Sequence, residues 1–420
     1  MVLHTLLWLC GLLLLLATLP LTLELFALTA GAALSRWRCA DTPPPAAQPD
    51  TRSLRLAVVI PAHNEELLIG RCVASVLESA AVAIASHPEA TSAAVLVVAH
   101  NCSDATTERA TAAGASVLIL NDPTQTGKGA ALRHGFDAAL RDGMEAVLVV
   151  DADSVVSSNL IGSVTANLLQ GSGALQCRYQ VANAGDTPRT RLLELALLGM
   201  NVLRPLGRSA LGLSAGIFGN GFALSAQTLA GVPYKSDSVV EDLEYHLHLV
   251  SAKVRVDFLD NATVWGDMPV SNAGQKTQRA RWEGGRARTR REWSLRLLLE
   301  LLKGNLRMAE PLVDLLALPL ATQVALLMIA LLLPLEWLRI YALVGMLCIG
   351  AYLLIAAALG PDLRGALLAL SAAPRFILWK LKILRATHRV GRKDAVWIRT
   401  ERDSAHPNKK QGNNNERADQ

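Results

Sequence analysis

Hydrophobic positions divide the 420-residue chain into two kinds of segment. Residues 3–34 are almost uninterrupted apolar side chains, and two more apolar stretches follow late, at about 311–333 and 337–359. Each is long enough to cross a bilayer, for which roughly 20 residues suffice. Between them, residues 54–270 alternate short apolar runs with segments of helical spacing. The pattern predicts a folded domain flanked by membrane helices.

The middle region has the rhythm of an α/β domain. Runs at 54–60, 93–99, 115–120 and 146–150 have the length and composition of strands, and each precedes polar residues and then a helix-like segment. This order predicts a mostly parallel sheet with helices on both faces. Ligands bind beyond the carboxyl ends of strands in such sheets, where the polar clusters PAHNEE, HNCSD and DADS stand. We therefore expect the chemistry at one edge of the sheet.

The apolar segments also predict an orientation. The first is longer than the core of a secretion signal and has no Lys or Arg before it, which favours a retained anchor over a cleaved signal peptide. Arg36 and Arg38 follow it, so the positive-inside rule places the N-terminus outside. A short connection around Glu336 joins the two late stretches as a helical hairpin. Three spans then leave the middle region, a basic interfacial segment at 361–403 and a disordered tail at 404–420 in the cytoplasm.

Composition narrows the class of protein. With 51% hydrophobic and 18% charged residues, the chain is too apolar for an ordinary cytosolic enzyme and too charged for a pure membrane bundle. The net charge of +5 is mild, and basic clusters near apolar segments favour lipid headgroups over nucleic acid. Six scattered cysteines without a CxxC pair suggest neither a disulfide framework nor a zinc site. A reducing compartment fits this usage.

Two acids, Asp151 and Asp153, end the apolar run AVLVV, with only Ala152 between them. In an extended chain both carboxylates project to the same side, where two like charges call for a cation. Oxygen ligands of this kind suit Mg²⁺ or Mn²⁺. The alternative is a solvated turn, or a helix N-cap by Asp153 or Ser154.

A second acidic pair, Glu241 and Asp242, opens the helix-like segment 239–252. A carboxylate there can act as a general base on a hydroxyl. Alternatively, both acids simply complement the helix dipole. His246 and His248 stand two apart, a spacing that does not bring side chains together on a helix, so we predict structural roles for them.

Two basic features could bind phosphate. The arginine-rich segment 277–293 contains Gln278, Arg281 and Trp282 in the pattern Q-x-x-R-W. Arg can clamp a diphosphate and Trp can stack on a sugar, although the segment could also be an amphipathic helix on the membrane. The second feature, QTGKGAALRHG, fails the P-loop pattern. Its glycines around Lys128 still free the backbone at a helix start, where anions bind.

The order of these motifs resembles the family 2 membrane glycosyltransferases, which include cellulose, chitin, hyaluronan and poly-N-acetylglucosamine synthases. The series runs VVIPAHNEE, HNCSD, GKGAAL, VDADS, FGNGFALS, VVEDLEYHLHL and Q-x-x-R-W, over residues 54 to about 300. The resemblance implies a GT-A (Rossmann-like) α/β domain that transfers a sugar, with inversion, from a nucleotide-diphosphate donor expected to be UDP-linked. The expected units are an anchor (1–35), a linker (36–53), the GT-A domain (54–275), the Q-x-x-R-W segment with an interfacial helix (276–308), a transmembrane hairpin (309–360), the basic segment (361–403) and the tail (404–420).

The resemblance also implies a role for each motif residue. Asp242 would be the catalytic base, and Asp153 with Asp151 would hold Mg²⁺ or Mn²⁺. The donor would contact Pro61, His63, Glu65, His100, Asn101, Asp104, Lys128, Asp151, Gln278, Arg281 and Trp282. The acceptor would contact Gly219, Asn220, Gly221, Glu241 and Trp282. Where the family usually carries an Asp against the base, this chain has Ala99, His100 and Asn101, which leaves His100 as a hydrogen-bonding substitute.

The acceptor and the assembly are less constrained. The Q-x-x-R-W pattern favours a growing polysaccharide, with transfer of one sugar to a lipid or lipid-linked acceptor as the alternative. Two late spans are fewer than cellulose synthases use, so a polymer channel would need partner subunits or a homo-oligomer. The expected location is a bacterial-type inner membrane, in contact with its lipids. A non-catalytic scaffold of an export complex has no chemical reason to keep all the motifs, and a dinucleotide oxidoreductase would need G-x-G-x-x-G after the first strand.

Overall fold

The computed structural model describes residues 2–40, 53–87, 91–125, 127–235, 240–268, 272–372 and 374. For 38–40, 188, 189 and 272–281 it describes the backbone alone. The basic segment predicted at 361–403 lies outside the described residues from 375 onward, as does the tail at 404–420.

Eight strands form one sheet in the described chain. They are β1 (Leu54–Ala62), β2 (Thr91–His100), β3 (Ser116–Leu120), β4 (Ala146–Val149), β5 (Ser154–Val156), β6 (Ala174–Val181), β7 (Phe222–Ser225) and β8 (Val256–Gly266). The first four lie close to the strands that the apolar runs predict. Their order in the sheet is β3-β2-β1-β4-β7-β6-β8-β5.

Helices cover the sheet and form a second layer beside it. They are α1 (Val2–Ala40), α2 (Ile69–Ser86), α3 (Thr106–Ala112), α4 (Lys128–Arg141), α5 (Leu160–Leu169), α6 (Pro188–Leu198), α7 (Arg204–Ala210), α8 (Ala226–Gly231), α9 (Glu241–Ser251), α10 (Asn272–Leu302), α11 (Ala309–Leu316), α12 (Leu320–Leu332), α13 (Glu336–Ala358) and α14 (Leu363–Ala369). A π-helical turn, Gly199–Leu203, joins α6 to α7, and 3₁₀ turns occupy Leu306–Met308 and Leu370–Ala372.

The sheet is mostly parallel, as predicted, with antiparallel pairs in its second half. Strands β3, β2, β1 and β4 run parallel, and so do β6 and β8, while β7 and β5 run against their neighbours. Alternate side chains of β1 enter two separate cores. Leu56, Val58 and Ile60 pack towards α2 and α5, and Ala57 and Val59 pack towards α4 and α9. Buried faces on both sides hold the strand ends in a fixed register.

Three described helices are long and apolar enough to cross a membrane: Val2–Trp37, Ile69–Ser86 and Glu336–Ala358. The second of these is α2, whose buried side chains Cys72, Val73 and Val76 pack on the sheet. We therefore assign α2 to the catalytic domain. Helices α1 and α13 agree with the predicted apolar spans.

The apolar stretch predicted at 311–333 is not one straight helix. Residues Leu306–Leu316 and Leu320–Leu332 form two helices bent by 78°. The break falls before Pro319, which lacks an N–H group and disfavours helical backbone in the residue before it. The two helices together are a broken span or a re-entrant loop, so the first arm of the predicted hairpin is bent and the hairpin itself stays a prediction.

Polar contacts join the apolar helices to one another. The Gln323 amide nitrogen donates to the Thr18 carbonyl at 2.8 Å and to the Thr22 hydroxyl at 2.9 Å. The Tyr341 hydroxyl lies 2.9 Å from Thr18 Oγ1 and 3.1 Å from Thr22 Oγ1. Such bonds between helices fix their relative rotation in an apolar environment. Helices α1, α12 and α13 therefore form one layer.

Candidate functional site

The carboxyl ends of β1, β2 and β4 meet at one edge of the sheet, and the predicted polar clusters follow them. β1 pairs in parallel with both β2 and β4, so the segments after Ala62, His100 and Val149 leave the sheet in the same direction. A direct contact joins the first two segments, since the His63 Nδ1 lies 2.8 Å from the His100 carbonyl oxygen. The predicted edge is therefore a single site.

Lys128 joins three of the predicted motifs. It is the first residue of α4, after Gly127 with φ +87°. Its ammonium group donates to the Asp151 carboxylate and to the Gly219 carbonyl oxygen. A single partly buried side chain thus links the glycine-lysine turn, the first acid of the Asp-x-Asp pair and the FGNG stretch (218–221).

The acidic pair at the start of α9 lies against the same stretch. A Cβ atom on Gly219 would come within 3.2 Å of the Asp242 Oδ2. Gly219 also has φ +76°, a conformation that other residues rarely adopt. Glycine is therefore required here on two grounds, and its backbone brings Asp242 close to Lys128 and Asp151.

The charges in this cluster shift one another's protonation. Burial raises the pKa of Glu241 to about 7, helped by the neighbouring Asp242 and opposed by Lys128. Burial also raises the pKa of Asp242, against Lys128 and the backbone N–H of Leu243. Burial alone would lower the pKa of Lys128, but Asp151, Glu241 and Asp242 together raise it. Asp242 is thus a carboxylate with increased affinity for a proton, the property a general base needs.

The Asp151–Asp153 pair does not adopt the extended conformation that the sequence suggests. The Ser154 N–H donates to the Asp151 carbonyl oxygen at 3.0 Å, which closes a turn over the pair. The chain reverses here because β5 begins at Ser154 and pairs antiparallel with β8. Asp153 is buried, and its Oδ1 accepts a bond from the Ser154 hydroxyl at 3.1 Å. The expectation that alternation alone aligns the two acids is wrong.

Gln176, which the sequence analysis missed, holds the FGNG stretch in shape. This fully buried side chain of β6 accepts from the Phe218 N–H at 2.9 Å and donates to the Asn220 carbonyl oxygen at 2.8 Å. Asn220 in turn accepts from the Asp151 N–H at 3.1 Å and donates to the Ser154 hydroxyl at 2.8 Å. The only sequence signal was a glutamine within the apolar start of a strand.

The residues predicted to face the nucleoside form a second group at the same edge. His100 is buried, its pKa is lowered by burial, and its Nε2 lies 3.0 Å from the Gln125 carbonyl oxygen. That carbonyl accepts, so the neutral ring carries its proton on Nε2. Asn101, with φ 49°, donates to the Asp122 and Gln125 carbonyl oxygens at 3.0 and 3.2 Å. Both side chains hold the segment that leads into Lys128.

The carboxylate of Asp104 has a structural role in the described site. It accepts from the Thr106 N–H at 3.0 Å and from the Glu66 N–H at 3.2 Å. The Glu65 N–H donates to Thr106 Oγ1 at 2.8 Å, next to partly buried Pro61 on β1. These bonds fasten the start of α3 to the loop after β1. Pro61, Glu65 and Asp104 are thereby held together at the edge.

The Q-x-x-R-W segment lies on α10. The side chains of Gln278 and Arg281 fall outside the described residues. Trp282 is partly buried and packs against an apolar cluster that contains Val181 of β6, Leu193 of α6 and Met268 after β8. The helix passes beside the acidic pair, since a Cβ on Gly285 would come within 2.5 Å of the Val240 side chain.

The donor set suits a divalent cation. Asp151 and Asp153 offer oxygen ligands, the kind that Mg²⁺ and Mn²⁺ prefer. Lys128 supplies one positive charge against the three carboxylates of Asp151, Glu241 and Asp242, so a further cation is electrostatically favoured. Among the described residues, no group of three or more His, Cys, Asp or Glu side chains could hold a metal ion. The protein would therefore supply few ligands and a bound diphosphate the rest.

The chain resembles several solved structures. One is a mannosyltransferase from Pyrobaculum calidifontis in complex with GDP-Man and Mn²⁺, 18% identical, covering 88% of this chain and 96% of that chain, with a TM-score of 0.44. Another is glucosyl-3-phosphoglycerate synthase from Mycobacterium tuberculosis, in complex with Mn²⁺, uridine diphosphate and phosphoglyceric acid. It is 22% identical, covers 55% of this chain and 77% of that chain, and has a TM-score of 0.37. No curated protein matches the chain.

The family described as glycosyltransferase-like family 2 matches residues 54–285, over half of the chain. That range contains the whole eight-stranded sheet and every contact described above between Lys128, Asp151, Gly219 and the acidic pair. On this match, the chain belongs to glycosyltransferase-like family 2, and its fold is the mixed α/β sheet of the GT-A type.

Proposed function

We propose that this glycosyltransferase moves a sugar from a UDP-linked donor to a growing polysaccharide at the cytoplasmic face of a membrane. The supporting observation is the contact of Lys128 with both Asp151 and Gly219, which gathers the motifs of donor, metal and base around one position. A scaffold protein would have no need to place one partly buried ammonium among three carboxylates, because removing charges from water is costly.

The residues of this edge have separate roles in the reaction. Asp242 accepts the proton of an acceptor hydroxyl, whose oxygen forms a bond to the anomeric carbon. The bond from that carbon to the diphosphate breaks on the opposite face, so the configuration inverts, and the diphosphate leaves with the electron pair. Glu241 and Lys128 set the charge around Asp242, while Gly219, Asn220 and Gly221 line the acceptor side.

The donor lies between two groups of residues. Pro61, His63, Glu65, His100, Asn101 and Asp104 surround the nucleoside, and Gln278, Arg281 and Trp282 approach the diphosphate and the acceptor end. Asp151 and Asp153 would hold Mg²⁺ or Mn²⁺. Such an ion, when bound, offsets the negative charge that develops on the leaving diphosphate.

The alternative acceptor is a lipid or a lipid-linked sugar that receives one residue only. The membrane helices favour an acceptor that stays near a lipid surface in either case. The Q-x-x-R-W pattern on α10 supports the polymer, because that motif belongs to the processive members that the chain resembles. A polymer would require partner subunits or a homo-oligomer for export, since few helices are available to build a channel.

A panel of nucleotide sugars tests the proposal. The full-length protein in lipid nanodiscs would be incubated with UDP- and GDP-linked sugars and membrane lipid extract, with Mg²⁺, Mn²⁺ or a chelator. We expect metal-dependent turnover of a UDP-sugar, and a ladder of products by mass spectrometry. A single added sugar would support the alternative acceptor, and the absence of turnover with every donor would contradict the proposal.

A further inference from the structure

One charged side chain stands within the apolar part of helix α1, before Arg36 and Arg38. Glu24 is the only Asp, Glu, Lys or Arg among residues 2–35, and it is buried. A carboxylate in such a helix is costly unless it is paired, so its partners indicate what the position is for.

Glu24 belongs to a cluster that we call the ionic joint. Three acids and three arginines from four helices meet in it, which balances the charge within the cluster. Its members are Glu24 of α1, Arg204 and Arg208 of α7, Arg286 of α10, and Glu310 and Asp314 of α11.

Asp314 is the centre of the ionic joint. Its Oδ1 lies 2.6 Å from the Arg204 Nη2 and 3.2 Å from the Arg208 Nη2, and its Oδ2 lies 2.9 Å from the Arg286 Nη2. Glu24 pairs with Arg204 directly, and its Oε1 lies 3.6 Å from the Arg208 Nη2. Arginine holds several acceptors in fixed directions, so these pairs constrain orientation as well as distance.

The ionic joint is connected to the FGNG stretch through α7. The Arg208 Nη1 donates to the Ala215 carbonyl oxygen at 3.2 Å. Ala215 lies only a few residues before the FGNG stretch that contacts Lys128 and Asp242. Ser214 in the same segment lies 3.0 Å from the Nε2 of His246 on α9. A shift of Arg208 would therefore displace the segment that shapes the acceptor side.

The ionic joint is also connected, through α10, to the Q-x-x-R-W segment that is proposed to contact the donor. Arg286 pairs with Asp314 and also donates to the Asp314 carbonyl oxygen. It follows Gly285, which packs closely on Val240 beside the acidic pair. It lies one helical turn beyond Trp282. The pairing of Arg286 thus sets the position of the helix that carries the Q-x-x-R-W segment.

We propose that the ionic joint is a group of positioning residues. It holds the FGNG stretch and α10 in fixed positions relative to helix α1. Glu24 and Arg208 position the acceptor side, and Arg286 positions the donor side. The proposal rests on the proposed function for its kinetic consequence, although not for its structural one.

The test uses the full-length protein in nanodiscs with three variants. Glu24→Gln keeps the shape of the side chain and removes its charge. Arg286→Gln removes the ion pair between α10 and Asp314. Thr29→Val is the control, a buried position on α1 outside the ionic joint. Hydrogen exchange is measured over residues 213–221 and 282–290, with 54–62 as the internal reference. We expect Glu24→Gln to speed exchange in 213–221 and Arg286→Gln in 282–290, by about tenfold, with the reference and the control unchanged.

Kinetics with the UDP-sugar that the wild-type protein turns over supply the second readout. Glu24→Gln should lower kcat about tenfold or more with little change in donor KM, whereas Arg286→Gln should raise donor KM with little change in kcat. Uniform faster exchange, or kcat and KM altered alike in both variants, would overturn the proposal and leave the ionic joint a purely structural element. Unchanged exchange in both segments would overturn it too. Failure of the proposed function would show instead as a wild-type protein that turns over no donor.

Discussion

At the scale of single residues, the site depends on how burial changes the proton affinity of its acids. Glu241 and Asp242 are neighbours, both have raised pKa values, and burial is the first cause for each. Lys128 limits the rise without cancelling it. The carboxylates of Glu241 and Asp242 therefore keep their protons to a higher pH than exposed acids do, and their protonation can be measured.

The pH dependence of turnover should report this pair. Asp242 must be ionised to accept a proton and its pKa is raised by burial, so turnover should rise with pH at a higher pH than an ordinary aspartate would give. Glu241→Gln removes the adjacent negative charge, which lowers the pKa of Asp242 and moves the rise to lower pH by about one unit. A pH–rate profile of each protein measures the shift, and Glu244→Gln on the same helix is the matched control. An unmoved profile in Glu241→Gln would contradict the coupling.

The same pair has a consequence for stability. The pKa of Glu241 is about 7 in the folded protein against an ordinary value of 4.5. The folded state then binds the proton more strongly than the unfolded state, so this contribution is complete below pH 4.5 and is lost as the pH rises through 7. Glu241 thus favours folding least above pH 7, where its carboxylate is ionised.

The sequence identified most of these residues but not their geometry. Lys128, Asp151, Gly219 and Asp242 could be predicted because each follows a strand or opens a helix in a recognisable pattern. The turn at Asp151–Ser154 could not, because it depends on β5 pairing with β8 more than a hundred residues later. Gln176 was missed for the same reason, since its partners lie in a loop that is distant in sequence.

At the scale of elements, the FGNG stretch is a loop whose shape comes from other elements. Gln176 of β6 accepts from one end of the loop and donates to the other, and Asn220 ties the loop to the Asp-x-Asp turn. The loop has positive φ at both Gly219 and Gly221. Its conformation is therefore fixed from the sheet side and not by local preference.

The substitution Gln176→Leu tests how much the hydrogen bonds of Gln176 contribute to stability and to turnover. The substitution leaves the Phe218 N–H and the Asn220 carbonyl oxygen without their buried partner, at a cost of about 1–3 kcal/mol in the free energy of unfolding. Turnover should fall by more than donor binding, because the loop shapes the acceptor side. Thermal unfolding and isothermal titration with UDP measure the two effects.

Gln180→Leu, on the same strand and less buried, provides the control for this change. It should alter stability and turnover little. Equal losses in the Gln180 and Gln176 variants would show that the strand tolerates neither substitution and that Gln176 has no special part in holding the loop.

Helix prediction failed where a proline and charged residues interrupt an apolar run. Hydrophobicity alone made 311–333 appear to be one span, yet Pro319 divides it, and Asp314 turns inward to the arginines of α7 and α10. The role of Glu24 could not be predicted from the sequence either, because its arginine partners lie on α7, far away along the chain. The α/β region was easier, since its strand and helix periods differ clearly.

At the scale of the whole molecule, the layer of apolar helices and the catalytic sheet meet through α1, α7, α10 and α11. Helix α1 packs on α7 so closely that a Cβ atom on Gly207 would clash with the Leu28 carbonyl oxygen. The first apolar helix is thus joined to α7 by direct packing as well as by the ionic joint. This arrangement suits an enzyme whose acceptor stays near lipid.

The predicted orientation can be measured by cysteine labelling. If the N-terminus lies outside, Val2→Cys should react with a membrane-impermeant maleimide in intact cells. Lys253→Cys, on the catalytic domain, should react only after lysis, because the positive-inside rule places that domain in the cytoplasm. The parent protein with its native cysteines gives the background. Labelling of Lys253→Cys in intact cells would contradict the predicted orientation.

The central claim is that Asp242 takes the acceptor proton beside a donor held by its neighbours at the same edge. Asp242→Asn keeps the size of the side chain but removes the base, so sugar transfer should fall by about 10²–10⁴-fold. Asp257→Asn serves as the matched control and should retain activity, because Asp257 lies near the amino end of β8, away from the candidate site.

The deciding measurement is transfer of sugar from the donor by Asp242→Asn in nanodiscs, together with the affinity of the same protein for UDP. We predict near-complete loss of transfer with UDP binding close to that of the wild-type protein. Transfer at the wild-type rate would contradict the assignment of Asp242 as the base.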